Sequence, residues 1–200
     1  MIALTDKNQT LVKHRADKLH EKFYKEINEG ILHVISPSNN IYPKLKNKDL
    51  SASGQRLPYG NSIRRSNWQA KLSLDFAFLF SYCSQIRSNY FLNLEDDVIP
   101  TSSNFVNEIL SYTEEQNINH PYWNSLLFSN WLSIGRLYRT QHLRQLVDMI
   151  LIAYEKQPVD FIMHHFEVLQ MADKFQEFRR KPSLFEHIGN ISTMDEDSLA

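Results

Sequence analysis

The chain lacks several features that would narrow its class at once. Cys83 is its single cysteine among 200 residues, which excludes an internal disulfide. It has neither a signal-peptide pattern nor an apolar run of about 18 residues, so no membrane segment is predicted. It also lacks an excess of one charge, because 22 Lys and Arg residues face 23 Asp and Glu residues, for a net charge of -1. This balance indicates neither a nucleic-acid partner nor a membrane surface.

The composition is that of a globular protein. Hydrophobic residues make up 42% of the chain and aromatic residues 12%, which is enough for a real core in 200 residues. We expect a single domain over residues 1–194, followed by an acidic tail at 195–200. Cys83 lies in a helical apolar pattern and is predicted to be a buried thiol.

The most informative segment is an apolar run that ends in three carboxylates. Residues 89–94 have the composition of a buried strand, and Glu95, Asp96 and Asp97 follow directly. Three adjacent acids cannot all be buried unpaired, because desolvating ionised carboxylates is costly. We therefore expect them at the carboxyl end of a central strand, where α/β proteins bind ligands. The pattern predicts either a Mg²⁺ or Mn²⁺ site completed by a substrate diphosphate, or a solvated acidic turn.

Strands and helices alternate along the rest of the chain, which favours an α/β fold with a mixed, mainly parallel sheet flanked by helices. The predicted strands are residues 1–4, 31–36, 89–94 and 123–129. The predicted helices are residues 10–28 (ended by Gly30), one that starts at a Ser66–Gln69 capping box, one that starts at Ser103, and 141–154. Residues 37–65 are rich in Pro, Ser, Asn, Lys and Arg, and they predict a long surface loop.

Six segments in a fixed order carry a resemblance to a known family. They are Gly30-Ile-Leu-His-Val-Ile-Ser-Pro37 with Tyr42-Pro43, Lys71-Leu-Ser-Leu-Asp-Phe76, Leu94-Glu-Asp-Asp-Val98, Ser133-Ile-Gly-Arg-Leu137, Tyr154-Glu-Lys-Gln-Pro-Val-Asp160 and Lys181-Pro-Ser-Leu-Phe-Glu-His-Ile-Gly189. Together they resemble the N-acetylglucosaminyltransferase IV family, glycosyltransferase family 54. The last segment is the most specific of the six.

The resemblance implies a GT-A-like fold, a UDP-GlcNAc donor and dependence on Mn²⁺ or Mg²⁺. It implies inverting transfer of N-acetylglucosamine to a mannose of an N-glycan core, as a β1,4 branch on a glycoprotein in the Golgi lumen. The chain begins at what should be the second strand of that fold, so we expect the first strand to be missing.

Several site residues follow from the resemblance. Asp97 is expected to bind the metal, Asp96 to reach the ribose or the metal, and Glu95 to shape the nucleotide pocket. His187 is expected to contact the metal or the diphosphate, or else to cap a turn before Gly189.

Two further carboxylates have two interpretations each. Asp160 matches the family position of the base that deprotonates the acceptor hydroxyl, but the Pro158-Val-Asp160 sequence is equally suited to a helix N-cap. Asp75 is expected to face the nucleotide, with an exposed ion pair to Lys71 as the alternative.

Departures from the family pattern leave a second function open. Leu72 and Ser73 replace an expected Gln-Asn pair, and His164 stands where another acid is expected. The alternative to a transferase is a catalytically inactive relative that binds a glycan or a partner transferase without turnover.

Overall fold

A computed structural model of the protein describes residues 1–44, 62–131, 133–171 and 174–188. Its elements are β1 (Ile2–Ala3), α1 (Gln9–Lys22), α2 (Tyr24–Asn28), β2 (Val34–Ile35), α3 (Ile63–Cys83), β3 (Tyr90–Asn93), β4 (Val98–Pro100), α4 (Phe105–Asn119), β5 (Ser125–Leu127), β6 (Arg136–Arg139), α5 (Leu143–Ala153), α6 (Val159–Met171), β7 (Phe178–Arg179) and β8 (Phe185–His187). The predicted tail at 195–200 and residues 45–61 of the predicted loop lie outside the described residues.

The strands form one four-stranded sheet, in the order β3-β6-β5-β7, and two separate pairs, β1-β2 and β4-β8. The prediction of an α/β fold with mixed sheets is confirmed. The prediction of a mainly parallel arrangement is wrong for the described strands, because β3-β6, β5-β6 and β4-β8 are antiparallel and only β1-β2 and β5-β7 are parallel. In β5-β6 the chain turns back directly, whereas β3-β6 and β4-β8 pair strands that are separated along the chain by helices. An apolar run does not fix the direction of the strand with which it pairs.

Helices cover both faces of the four-stranded sheet. Successive residues of a strand point to opposite faces, and Leu137 and Tyr138 of β6 accordingly enter two different apolar clusters. Tyr138 packs in the cluster formed by α3, α5 and α6, which includes Phe80, Ile150 and Ile162. Leu137 packs in the cluster on the other face, which includes Ile109 of α4, Trp123, Leu126, Phe128 and Phe185. The core is therefore split between the two faces of the sheet.

The amino-terminal unit contains two helices where one was predicted. α1 starts after Asn8, whose side chain accepts hydrogen bonds from the N–H groups of Thr10 and Leu11. It ends at Phe23, where φ of -123° and ψ of 36° leave the helical region and separate α1 from α2. Gly30 ends this stretch with a φ of 71°, as its predicted role of helix stop requires.

α3 starts earlier than the capping-box pattern predicted. Ser62 is its N-cap residue, and the Ser62 hydroxyl accepts a hydrogen bond of 3.2 Å from the N–H of Arg65. Ser66 therefore lies inside the helix. The side chains of both serines suit an N-cap position, so the capping-box pattern alone does not show which of them starts the helix. Cys83 is the last residue of α3 and is buried, as predicted.

Candidate functional site

The three consecutive acids follow β3 at its carboxyl end, as predicted. Asn93 is the last residue of the strand, and Asp96 and Asp97 form the turn that leads into β4. β3 is not a central strand, because β6 is its one partner among the described strands. Its apolar residues are covered instead by helices, with Phe91 facing α3 and Tyr90 facing the cluster on the opposite side.

The pairing of β4 with β8 brings His187 to Asp97. Val98 is opposite His187, and the N–H of Ile188 donates to the Asp97 carbonyl at 2.8 Å. His187 Nε2 lies 2.9 Å from Asp97 Oδ2, with the Asp97 and His187 side chains 39% and 24% exposed. His187 is thus the last residue of β8, and Gly189, which the turn-cap alternative involves, lies outside the described residues.

Glu95, Asp97 and His187 form a possible cation site. Each offers one ligand atom, and the three atoms lie within 4.8 Å of one another. Asp97 Oδ1 is buried and has no hydrogen-bond partner among the described residues, so this oxygen can bind a cation without losing a bond. Two carboxylates and an imidazole suit Mn²⁺ well and Mg²⁺ through their oxygens.

Ser133 connects Glu95 to Asp160. Its hydroxyl donates to Glu95 Oε1 at 2.6 Å. Burial raises the pKa of Glu95, the Ser133 hydrogen bond lowers it, and the charges of Asp97 and Asp160 raise it again. Burial likewise raises the pKa of Asp160, while hydrogen bonding with Ser133 and the charge of Arg136 lower it. The predicted base therefore lies in the electrostatic field of the possible cation site.

Asp160 occupies the first turn of α6. The helix begins at Val159, and the Pro158 carbonyl accepts hydrogen bonds from the N–H groups of Phe161 and Ile162. Asp160 is therefore not the N-cap residue, and that interpretation is wrong. Its Oδ1 atom is buried and has no hydrogen-bond partner within the described parts of the chain. The amino-terminal end of α6 also favours a negative charge at this position.

A buried ion pair lies beneath Asp160, and the sequence interpretation missed it. Arg136 Nη1 donates to Glu167 Oε1 at 2.7 Å, and the Ser125 hydroxyl donates to the same oxygen at 2.6 Å. Arg136 is 1% exposed and Glu167 is 5% exposed. Strand alternation offered a signal, because Arg136 and the buried Tyr138 must share one face of β6. The positive charge of Arg136 favours the ionised form of Asp160.

Asp75 lies in a separate polar group, which it forms with Tyr42 and Lys71. Its carboxylate accepts hydrogen bonds from the Tyr42 hydroxyl at 2.6 Å and from Lys71 Nζ at 2.7 Å. Lys71 also donates to the Thr5 carbonyl at 2.6 Å. The ion pair of the alternative interpretation is present, but it is largely buried rather than exposed. Asp96 is exposed and is not one of the three possible ligands.

Comparison with known proteins identifies the family. A family model described as the MGAT4 conserved region matches residues 1–199. The chain belongs to the MGAT4 family. This confirms the resemblance found in the six sequence segments.

Three curated relatives of this MGAT4 family member are alpha-1,3-mannosyl-glycoprotein 4-beta-N-acetylglucosaminyltransferases. The zebrafish (Danio rerio) C protein is 31% identical over 96% of this chain and 40% of its own length. The pig (Sus scrofa) C protein is 33% identical over 96% of this chain and 38% of its own. The rat (Rattus norvegicus) A protein is 30% identical over 88% of this chain and 34% of its own. The match thus spans well under half the length of each relative. Among the described residues, no helix combines the length and apolar character needed to cross a bilayer.

Proposed function

We propose that this MGAT4 family member transfers N-acetylglucosamine from UDP-GlcNAc to a mannose of an N-glycan core. The product is a β1,4 branch, formed with inversion at the anomeric carbon and with a divalent cation. The proposal depends on the grouping of Glu95, Asp97 and His187. Asp160 is close enough for its charge to act on Glu95, and Ser133 donates a hydrogen bond to Glu95. The names of the relatives support the sugar transferred and the acceptor class.

The fold is compatible with a GT-A-like domain. Helices lie on both faces of the four-stranded sheet, and the acidic turn follows the carboxyl end of β3. We infer that a nucleotide diphosphate binds beside the carboxylates at this end of β3.

The proposed reaction assigns a role to each residue of the site. Asp97, His187 and Glu95 would hold the cation, which would supply positive charge to neutralise the departing diphosphate. Asp160 accepts the proton of the acceptor hydroxyl, whose oxygen forms a bond to C1 of N-acetylglucosamine. The bond between C1 and the diphosphate oxygen breaks at the same time, and UDP leaves with the electron pair.

The nucleotide contacts of this proposal involve two other acids. Asp96 is exposed beside the cation site and is proposed to contact the ribose. Asp75 is proposed to face the nucleotide together with its partners Tyr42 and Lys71. Because both partners donate to Asp75, its carboxylate is held in one orientation.

Transfer and cation dependence are tested together. Mass spectrometry of an N-glycan acceptor incubated with the chain, UDP-GlcNAc and Mn²⁺ is expected to show the addition of one N-acetylglucosamine. Asp97→Asn is expected to abolish Mn²⁺-dependent UDP binding because it removes a charged ligand, with a melting temperature close to that of the wild type. Asp148→Asn, which changes an exposed acid of α5, is the matched control and should bind UDP normally.

Two results would count against the proposal. Equal binding of UDP by the wild type in EDTA and in Mn²⁺ would exclude the cation role. Binding of the acceptor without transfer would favour the inactive, glycan-binding relative instead.

A further inference from the structure

An open cavity of about 750 Å³ lies beside the possible cation site. One wall is formed by β8 and the residues that precede it, another by the loop that follows β5, and a third by the start of α4. His187 is part of the first wall and also contacts Asp97 at 2.9 Å. The cavity therefore opens onto the cation site, and its volume is within the range of small-molecule sites, roughly 300–1,000 Å³.

Trp131 forms an aromatic wall of this cavity. It is 57% exposed, and its ring centroid lies 5.4 Å from that of His187. The loop holds it in place, because the Trp131 N–H donates to Ser129 Oγ at 3.0 Å and Arg179 donates to the Ser129 carbonyl. An indole that is exposed and positioned in a cavity wall presents a flat apolar face to a ligand.

The charges of the cavity are largely paired with each other. Arg180 donates to the Glu108 carboxylate, so its positive charge is already compensated and does not select an anion. The other polar groups are mainly neutral, and they include the Thr101 and Ser102 hydroxyls and the Asn130 amide. Glu186 adds an exposed hydrogen-bond acceptor. An apolar face opposite neutral hydrogen-bonding groups fits a sugar ring, which has an apolar face and a rim of hydroxyls.

We propose that this cavity holds a pyranose ring of the acceptor oligosaccharide, stacked on Trp131. The inference rests on the proposed function for the identity of the acceptor. Asp160 and Glu95 are not among the residues that line the cavity, so the ring in it is not the one that reacts. It is a neighbouring ring of the same oligosaccharide, and Trp131 positions the reactive mannose through that neighbour.

Binding can be measured without any turnover. The full chain is titrated with the trimannosyl N-glycan core by isothermal calorimetry, in the absence of UDP-GlcNAc and of divalent cations. Trp131→Ala is expected to raise the Kd about tenfold, the scale of losing an aromatic anchor. Trp131→Phe keeps an aromatic face and should raise the Kd less. Tyr122→Ala removes an aromatic ring that is 84% exposed and outside the cavity, and it should leave the Kd unchanged.

The outcomes separate this inference from the proposed function. A Kd for Trp131→Ala equal to that of the wild type, with both proteins melting at similar temperatures, would overturn it. So would a wild-type chain that does not bind the core, or a Trp131→Ala variant that loses affinity for UDP-GlcNAc alone. Binding that depends on Trp131 in a chain that transfers no sugar would leave the inference standing and would defeat the proposed transferase activity.

Discussion

Ser133 joins two carboxyl groups that come from distant parts of the chain. Its hydroxyl donates to Glu95, which follows β3, and its hydrogen bonding also lowers the pKa of Asp160 in α6. A hydroxyl has one proton, so it can donate to one of the two carboxylates at a time. Ionised Glu95 and ionised Asp160 repel each other, and a cation bound beside Glu95 would reduce this repulsion. The proposed base and the proposed cation site are therefore coupled through their charges.

Substitution of Asp160 tests its role as base. Asp160→Asn keeps the size of the side chain but cannot accept the acceptor proton, so turnover should fall by about 10²-fold or more. Folding and Mn²⁺-dependent UDP binding should be preserved, because Asp160 does not cap the helix and is not one of the three possible ligands. Turnover is measured by mass spectrometry, with circular dichroism as the check on folding. If the variant turned over at the wild-type rate, Asp160 would not be the base, and another carboxylate would have to fill that role.

The grouping of Glu95, Asp97 and His187 could be predicted from the sequence, although their roles stay predictions. An apolar run that stops at consecutive acids shows where a strand ends, and the family resemblance added the histidine. Ser133, Arg136 and Glu167 could not be found in this way, because their partners lie 31 to 42 residues away and depend on the packing of β6 against α6. In the sequence, a buried arginine cannot be distinguished from an exposed one unless it is known which face of the strand is covered.

At the scale of elements, the turn between β5 and β6 is built around Gly135. It has a φ of 64°, its N–H donates to the Asn93 carbonyl at 2.9 Å, and its carbonyl accepts from the Phe128 N–H at 2.8 Å. A Cβ atom at this position would lie 2.8 Å from Phe185 Cδ2 and 3.3 Å from Ser129 Cβ. The close approach brings this turn against β8, the strand that carries His187.

Gly135→Ala is expected to destabilise the fold for two reasons. The positive φ strains an alanine, and the added methyl group overlaps Phe185, so the free energy of unfolding should fall by about 2–4 kcal/mol. Gly30→Ala is the matched control, because Gly30 also has a positive φ but nothing lies within 4 Å of the added Cβ. That variant should lose only about 1–2 kcal/mol. Urea unfolding measures both, and equal losses would contradict the steric part of this account.

Several helices and four strands, β1, β2, β3 and β5, could be predicted from apolar runs and spacing, but the other four strands could not. Helices α4 and α5 start two residues after their predicted starts, whereas α3 starts at Ile63, three residues before Ser66. Strands β4, β6, β7 and β8 have two to four residues each and show too few repeats for an alternation to be recognised. The direction of strand pairing could not be predicted either, because an apolar run has the same sequence pattern in a parallel pair as in an antiparallel pair.

At the scale of the whole molecule, the reactivity of the Cys83 thiol shows whether the fold is intact. It is 4% exposed at the end of α3, in the cluster formed with α5 and α6, and its thiol contacts Met1 Sδ at 3.5 Å. Burial raises the pKa of the Cys83 thiol to about 11. The thiolate is the reactive form, so both burial and protonation protect this residue at neutral pH.

Thiol labelling therefore measures global unfolding. At pH 8 the native chain should react with a thiol reagent far more slowly than the chain in urea, because Cys83 is the single cysteine and becomes exposed only when α3 leaves the core. Rapid labelling of the native chain would contradict the buried position.

The raised pKa of Cys83 also makes the free energy of unfolding depend on pH. The folded state holds the thiol proton more tightly than the unfolded state, so the contribution of Cys83 to stability is complete below pH 9 and is lost as the pH rises towards 11.

The β4-β8 pair has a consequence for how the chain folds and responds to ligands. Asp97 and His187 are 90 residues apart, so these two possible ligands come together only after the final described strand has docked. Such a long-range contact forms late, because the intervening chain must be ordered first. A cation that binds Asp97 and His187 in the folded chain but not in the unfolded chain would connect two segments that are distant in the sequence. At 100 times its Kd it would stabilise the whole fold by about 2.7 kcal/mol.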